Sequence, residues 1–330
     1  MESKIDFVIL WVDGSDPEWI KEKEKYSSVT GDKKINRYRD WDNLKYWFRG
    51  VEAFAPWVNN IFFVTWGHIP EWLNTNNPKL KIVNHKDYIP EKYLPTFSAN
   101  PIELNLHRIK ELSENFVFFN DDMFLIKKVE EDDFFHDGMP CDNGILSPVF
   151  SLSSDGFAKL IMNDMYIINK YFDKNKVIKE NFFKWFNLKY GKHVIKNVYL
   201  NSWERFAGFY DAHTANSFKK STFEKVWEKE PELLDKVSSN KFRNVNEDVN
   251  QFLVKYWQLC EGNFYPRKIT FSKYFEYSDN NESIYENIRN QRCSVICLND
   301  VVGNYDFEQE KKNTIDAFEE ILPNKSSFEK

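Results

Sequence analysis

Three apolar runs in the first 126 residues, "IDFVILWV" (5–12), "NIFFVTWG" (60–67) and "FVFFNDDMFLI" (116–126), show no regular alternation of apolar and polar side chains. A strand with one wet face alternates, whereas a strand covered on both faces reads as continuous apolar sequence, the usual condition of parallel sheets. Between the first two runs, Leu44, Trp47, Phe48, Val51 and Phe54 recur at helical spacing and Pro56 stops the pattern. "LKIVNH" supplies a shorter third strand. In "NPIELNLHRIKEL" a second helix is expected, with Asn100 as cap, Pro101 at the first helical position and Glu103 completing a capping box. A weak helix is read at 70–73. The order strand, helix, two strands, helix, strand predicts an α/β fold with a mostly parallel sheet.

The third run poses the functional question, because it carries Asn120, Asp121 and Asp122 inside otherwise apolar sequence. Buried carboxylates need a partner or a metal, and a plain core strand has no use for them. Ligands of open α/β sheets sit beyond the carboxyl ends of the strands. "DGSDP" follows the first strand and "NDD" closes the fourth, so both acid clusters are expected to face one crevice.

From about residue 151 to 261 the pattern turns helical. "AKLIMNDMYIINKYF" and "NEDVNQFLVKYWQLC" are amphipathic, the second with Asn246 as its expected cap. "CSVICLND" is a late apolar run ending in Asn299 and Asp300, and a last helix is expected near 307–322. The organisation read from this is an α/β core over 1–150, a mainly helical insertion over 151–241, and 242–330 completing the core.

A total of 45 basic against 51 acidic residues gives a net charge of -6, so no basic field exists to hold nucleic acid. Cys141, Cys260, Cys293 and Cys297 lack C-x-x-C spacing and are expected to be reduced, as in an intracellular protein. No apolar stretch reaches spanning length.

Three acid clusters at strand ends, Asp13 with Asp16, Asp121 with Asp122, and Asp300, suit Mg²⁺ or Mn²⁺, hard cations that take oxygen ligands. Ordinary turn and capping roles would leave the same pattern. Arg37 and Arg39 precede the first helix and fit phosphate by a bidentate fork, while Arg49, inside it, reads as solvated. His213, in the polar loop "DAHTANS" beside Asp211 and Thr214, is the candidate general base. His107 is expected to reach the same crevice.

Together these blocks resemble the Stealth family of sugar-phosphate transferases, which spans bacterial capsular polysaccharide phosphotransferases and the animal lysosomal-enzyme N-acetylglucosamine-1-phosphotransferase. "IDFVILWVDGSDP" is similar to its first block, and the sequence from "RYRDWDNLKYWFRG" through "LPTFSANPIELNLHRI" to "FVFFNDDMFL" to its second. "DAHTANSFKKS" through "NKFRNVNEDVN" resembles the third, and "VICLNDV" with the terminal "LPNKSSFEK" the fourth. Two departures stand out: Ala215 replaces a frequent proline, and "FSANPIE" puts Asn100 where a histidine is usual.

The resemblance implies a nucleotide-sugar-transferase-like core, with residues 1–150 binding the nucleotide sugar. It implies transfer of a hexose-1-phosphate from a UDP-sugar to a glycan hydroxyl, forming a phosphodiester and releasing UMP. The expected cofactor is Mg²⁺ or Mn²⁺, held by Asp121, Asp122 and Asp300. The expected catalytic set is His213, Asp122, Arg243 and Asp300. Substrate contacts are expected from Trp11, Asp13, Gly14, Asp16, Arg37, Arg39, Asn100, His107, Asn120 and Asn299. Rival readings are a metal-dependent glycosyltransferase releasing UDP and a sugar-nucleotide-binding protein without turnover. The family also implies a lipid-linked acceptor and a cytoplasmic location. A segment mixing aromatics and lysines, 181–199, suggests peripheral contact with the inner face of the cell membrane through Phe182, Phe183, Trp185 and Phe186 with Lys184, Lys189, Lys192 and Lys196.

Overall fold

The computed structural model describes residues 4–27, 39–150, 156–301, 303 and 305–330. Its main sheet holds β1 (Ile5–Leu10), β2 (Ile61–Thr65), β3 (Leu80–Asn84) and β4 (Asn115–Phe119), all parallel. Two more strands precede the helical region, β5 (Met123–Leu125) and the short pair β6 (Phe135–His136) and β7 (Met139–Asp142). β8 (Asn216–Lys219) pairs antiparallel with β4, giving the order β3-β2-β1-β4-β8. β9 (Tyr265–Pro266) joins β6 and β7 in a small sheet. β10 (Ser272–Glu276) and β11 (Val295–Asn299) run parallel, and β11 pairs antiparallel with β5 in a third sheet.

The continuous apolar runs are explained by two cores, one on each face of the main sheet. Phe7, Ile9, Phe63, Val117 and Phe119 enter the first, while Val8, Phe62, Val64, Phe116 and Phe118 enter the second. The period of two therefore sorts residues between two covers instead of between core and water. Asp6 is fully buried within β1, yet its carboxylate accepts from Asn59 Nδ2 (2.7 Å) and from the N–H groups of Asn60 (3.0 Å) and Ser113 (2.7 Å). Such satisfaction removes the cost of burying it.

Helices α1 (Pro17–Tyr26) and α2 (Leu44–Phe54) follow β1. Gly50 of α2 lies where a Cβ would stand 2.6 Å from the Leu125 carbonyl oxygen, so only glycine lets β5 approach this closely. α3 (His85–Tyr88) and α4 (Ala99–Leu104) are short. The region after 156 contributes α5 (Gly156–Tyr171), α6 (Lys174–Glu180), α7 (Phe182–Trp185), α8 (Val194–Leu200), α9 (Lys220–Lys229), α10 (Pro231–Ser239) and α11 (Gln251–Cys260). α12 (Glu282–Arg289) and α13 (Phe307–Ile321) complete the chain. Within 151–241, β8 is thus a strand of the main sheet.

Several local expectations need correcting. The helix opening at Asn100 is only α4, its cap is Ser98, and no capping box forms. Asn100 is turned inward to donate to Asp248 Oδ2 (2.9 Å), and Glu103 is buried. The cap of α11 is Asn250, whose side chain accepts from Phe252 N–H, and not Asn246. Residues 70–73 form a turn and a single bridge. Arg49 is not solvated: its guanidinium meets Glu329 (2.8 Å), Glu319 (3.1 Å) and the Leu322 carbonyl (2.9 Å), tying α2 to the C-terminus. All four cysteines are free and buried. Among the described residues, no helix is long and apolar enough to cross a membrane.

Candidate active site

The run "FVFFNDDMFLI" is two strands separated by a turn. β4 ends at Phe119, the Met123 N–H closes a turn on the Asn120 carbonyl (3.2 Å), and β5 then joins a different sheet. Asn120, Asp121 and Asp122 are therefore where the chain leaves one sheet for another. The Leu298 N–H donates to the Asp122 carbonyl (2.9 Å), and the β5–β11 register sets Met123 opposite Cys297. Ligand atoms of Asp122, Cys297 and His213 lie within 4.8 Å of one another.

His213 reaches this point on the loop before β8 in a left-handed backbone conformation, φ +43°. Asp211 stabilises that turn by accepting the His213 N–H at Oδ1 (2.9 Å). Its other oxygen stands 3.3 Å from Nδ1 of the ring. From α11, the buried Lys255 lies 3.5 Å from Asp211 and 3.7 Å from Asp142. Burial opposes charge on His213, but the hydrogen bond and charge of Asp211, with Asp122 adding, raise the imidazole above its ordinary value. Asp211, despite burial, is held well below the carboxylate range, chiefly by Lys255 and then by His213. Burial pushes Asp122 up, and pushes the Cys297 thiol far up, with Asp122 adding to it. Asp121, whose side chain is exposed at the edge of the site, is pushed up to about 7, first by the protein packed around it and then by the charge of Asp122.

A pocket opens in front of His213, lined by Asp211, Asn120, Arg243, Asn100 and Glu103, with Met123, Phe157 and Phe252 as apolar wall. Burial raises Glu103 to about 7, against the lowering effects of Arg243 and of the Gln251 N–H. Four candidates drawn from a span of more than a hundred residues, Asn100, Asn120, His213 and Arg243, thus share one cavity.

Other candidates stand elsewhere. Trp11 packs its ring near Phe63 and His68. Asp13 accepts from the N–H (2.9 Å) and Oγ (2.6 Å) of Ser15, Gly14 lies in that turn, and Asp16 caps α1 through the Trp19 N–H (2.9 Å). This cluster leaves the sheet at the same carboxyl-end edge as Asn120, since β1 and β4 are neighbours with Ile9 opposite Phe119. Asp300 accepts from Trp41 Nε1 (3.1 Å) and the Tyr305 hydroxyl, with Arg39 3.8 Å away. Asn299 donates to the Tyr274 hydroxyl (2.7 Å), and the Tyr274 ring faces His213 at 4.7 Å. His107 does not line the pocket. Its ring packs on Phe223 and Trp227, and burial, with Arg108 adding, lowers it to about 3. Arg37 lies outside the described residues.

Sequence reasoning left Cys297, Lys255, Tyr274 and Glu103 out of the site. A cysteine inside an apolar strand and a lysine on an apolar helix carry no local signal. Only the pairing of β5 with β11 and of α11 with the 211 loop reveals them.

Family models for Stealth protein conserved region 1 and conserved region 2 match residues 3–28 and 37–142. Over 331 residues the chain is 46% identical to a capsular polysaccharide phosphotransferase, WcwK, of Streptococcus pneumoniae, covering 99% of this chain and 98% of the relative. This chain belongs to the Stealth family. A second relative, the receptor polysaccharide phosphotransferase WefC of Streptococcus oralis, is 41% identical over 334 residues and 99% of each chain. Among solved structures, the WbbM bifunctional glycosyltransferase aligns over 97% of this Stealth protein and 52% of its own length, at 10% identity and a TM-score of 0.41, too low to carry an argument.

Proposed function

We propose that this Stealth protein moves a hexose-1-phosphate from a UDP-hexose or UDP-N-acetylhexosamine to a glycan hydroxyl, forming a phosphodiester and releasing UMP. Full-length similarity to named phosphotransferases makes it a transferase of phosphorus-containing groups in polysaccharide synthesis. The choice of donor and leaving group is our reading. The observation that carries it is His213, oriented by Asp211, at a pocket that Arg243 also lines.

The acceptor hydroxyl gives its proton to His213 Nε2 while its oxygen bonds to the phosphorus that bears the sugar. The bond from that phosphorus to the bridging oxygen breaks, and its electron pair leaves with UMP. Asp211 takes the Nδ1 proton in hydrogen bond, so the basic lone pair stays on Nε2. Arg243 faces the oxygens where negative charge collects. Trp11, Asp13, Gly14 and Asp16 flank the nucleotide on the same edge, with Arg39, held beside Asp300, toward the phosphates. Asn100 and Asn120 hold sugar hydroxyls.

The residues fit a divalent cation. Asp122 Oδ1 is buried with no hydrogen-bond partner, as suits a ligand oxygen. With Asp121 beside it, two hard carboxylates meet the preference of Mg²⁺ or Mn²⁺. The trio of Asp122, His213 and Cys297 would suit a softer ion, but it would take the lone pair of His213 and require a thiolate that burial opposes. When bound to the carboxylates, the cation neutralises the pyrophosphate. Asp300, already engaged by Arg39, Trp41 and Tyr305, holds Arg39 in place.

The test incubates purified protein and a glycan acceptor with a panel of UDP-sugars and Mg²⁺ or Mn²⁺, then measures both nucleotides. UMP with a phosphodiester product is expected. UDP would mean attack at the anomeric carbon, and donor binding without either nucleotide would mean a binding protein.

A further inference from the structure

The segment from Asp173 to Arg205 is unlike the rest of the chain in charge and in what it exposes. It carries seven lysines and Arg205 against three acids, a net of +5 in a chain whose total is -6. Helix α8 is built inside out. Its buried face is polar: Asn197 donates to the Gly144 (2.7 Å) and Trp185 carbonyls and accepts from the Leu146 N–H (2.6 Å). On the opposite face, at helical spacing, Ile195, Val198 and Tyr199 are 52%, 60% and 75% exposed. The Trp185 carbonyl bonded by Asn197 ties α7 to the same unit, and there Phe183 is 81% exposed, followed by Leu188 at 92%.

Of the aromatics read in the sequence, only Trp185 is core, packed among Phe206, Phe209 and Phe264. The lysines also divide. Lys184 donates to the Gly262 carbonyl (2.6 Å), while Lys189 and Lys196 lie over the Tyr265 and Tyr210 rings. Lys179, Lys192 and Arg205 remain exposed in the same segment.

We infer that this face docks on an anionic lipid surface, with Phe183, Leu188, Ile195, Val198 and Tyr199 entering the headgroup boundary and the exposed cations meeting lipid phosphates. Exposed apolar side chains interspersed with exposed cations along one segment are the composition of an interfacial segment. A second copy of the chain is the poorer occupant, since a two-fold contact would set exposed Lys179, Lys192 and Arg205 against the same cations of the other copy. The site feels this docking directly: His193 and Lys196 pack on Tyr210, the residue before Asp211. The surface thereby fixes how the His213 pocket sits relative to the bilayer.

Co-sedimentation with phosphatidylcholine vesicles, with and without phosphatidylglycerol, tests this without donor or acceptor, so its outcome is independent of the transfer chemistry. Binding is expected only with phosphatidylglycerol, and high salt should release it. Lys179→Gln with Lys192→Gln should weaken binding about thirtyfold, at roughly 1 kcal/mol per cation. Phe183→Ser with Leu188→Ser and Tyr199→Ser should remove it with unchanged thermal unfolding, because these side chains are already in water. No binding to anionic vesicles, or serine variants that bind like the parent, would overturn the inference. So would a dimer in size-exclusion chromatography that the serine variant abolishes, since the face would then belong to a second copy.

Discussion

The carboxyl ends of β1 and β4 lie side by side, and each carries two aspartates, yet the two ends differ in how those aspartates are held. After β1, Asp13 and Asp16 are satisfied locally, by Ser15 and by the first turn of α1. After β4, Asp122 keeps a buried oxygen without a hydrogen-bond partner and faces His213 across the join between two sheets. An unsatisfied buried oxygen costs about 1–3 kcal/mol or more, and a ligand bound beside His213 would recover that cost at Asp122. On the proposed mechanism the locally held acids shape a binding edge, and Asp122, with one oxygen left open, takes part in the chemistry.

The largest expected effect tests that division. Asp122→Asn should lower kcat by about 10²–10⁴-fold with thermal unfolding unchanged, in the range of other electrostatic and acid–base groups. Asp16→Asn keeps the α1 cap, because Asn caps as well as Asp. It is expected to raise KM for the donor by up to about tenfold and leave kcat nearly intact, the pattern of lost uniform binding. Steady-state kinetics with varied UDP-sugar separates the two. A kcat loss at Asp16 as large as at Asp122 would break the comparison.

A smaller effect sharpens it at His213. Asp211 raises the imidazole, and a base works only when neutral, so activity should fall as pH drops through that raised value. Asp211→Asn removes the charge that raises it. The acid limb of the kcat–pH profile should therefore move to lower pH while the plateau drops about 10–100-fold. Lys255 keeps Asp142 as a partner, so the fold should survive. An acid limb that does not move would mean that Asp211 only shapes the loop.

Much of the sheet was legible because its signal is local. Apolar runs and helical spacing foretold β1 to β4, α2, α5 and α13 to within a few residues. β8 was not, since "NSFK" is too short and too polar to read as a strand away from β4. For the site, His213 and Asp122 were chosen by residue type and by the family blocks. What pairs them with Cys297, Lys255 and Tyr274 is sheet pairing and helix packing across the chain, which no window of sequence contains. Asn100 and Glu103 show the converse, a good capping pattern overridden by Asp248 and by burial. His107 and His213 were both expected at the crevice, and the structure brings only His213 to the pocket.

That last contrast gives the smallest effect on activity and a distinct effect on stability. His107 is lowered to about 3 by burial, against about 6.5 for an unfolded chain, so the fold disfavours its charged form. A lowered histidine contributes stability that is complete above pH 6.5 and is lost as pH falls toward 3, because the unfolded chain takes up the proton first. Between pH 7 and 5 the loss should be roughly 2 kcal/mol from this one side chain. His107→Phe keeps an aromatic ring between Phe223 and Trp227 and removes the proton site. Denaturant unfolding across that range should then show a shallower decline for the variant, though not a flat one, because His85 is also lowered by burial, to about 4. Turnover at neutral pH should stay within about twofold, as for a packing change remote from the pocket. A variant that keeps the full pH slope would move the acid sensitivity elsewhere. A tenfold fall in turnover would return His107 to the substrate contacts.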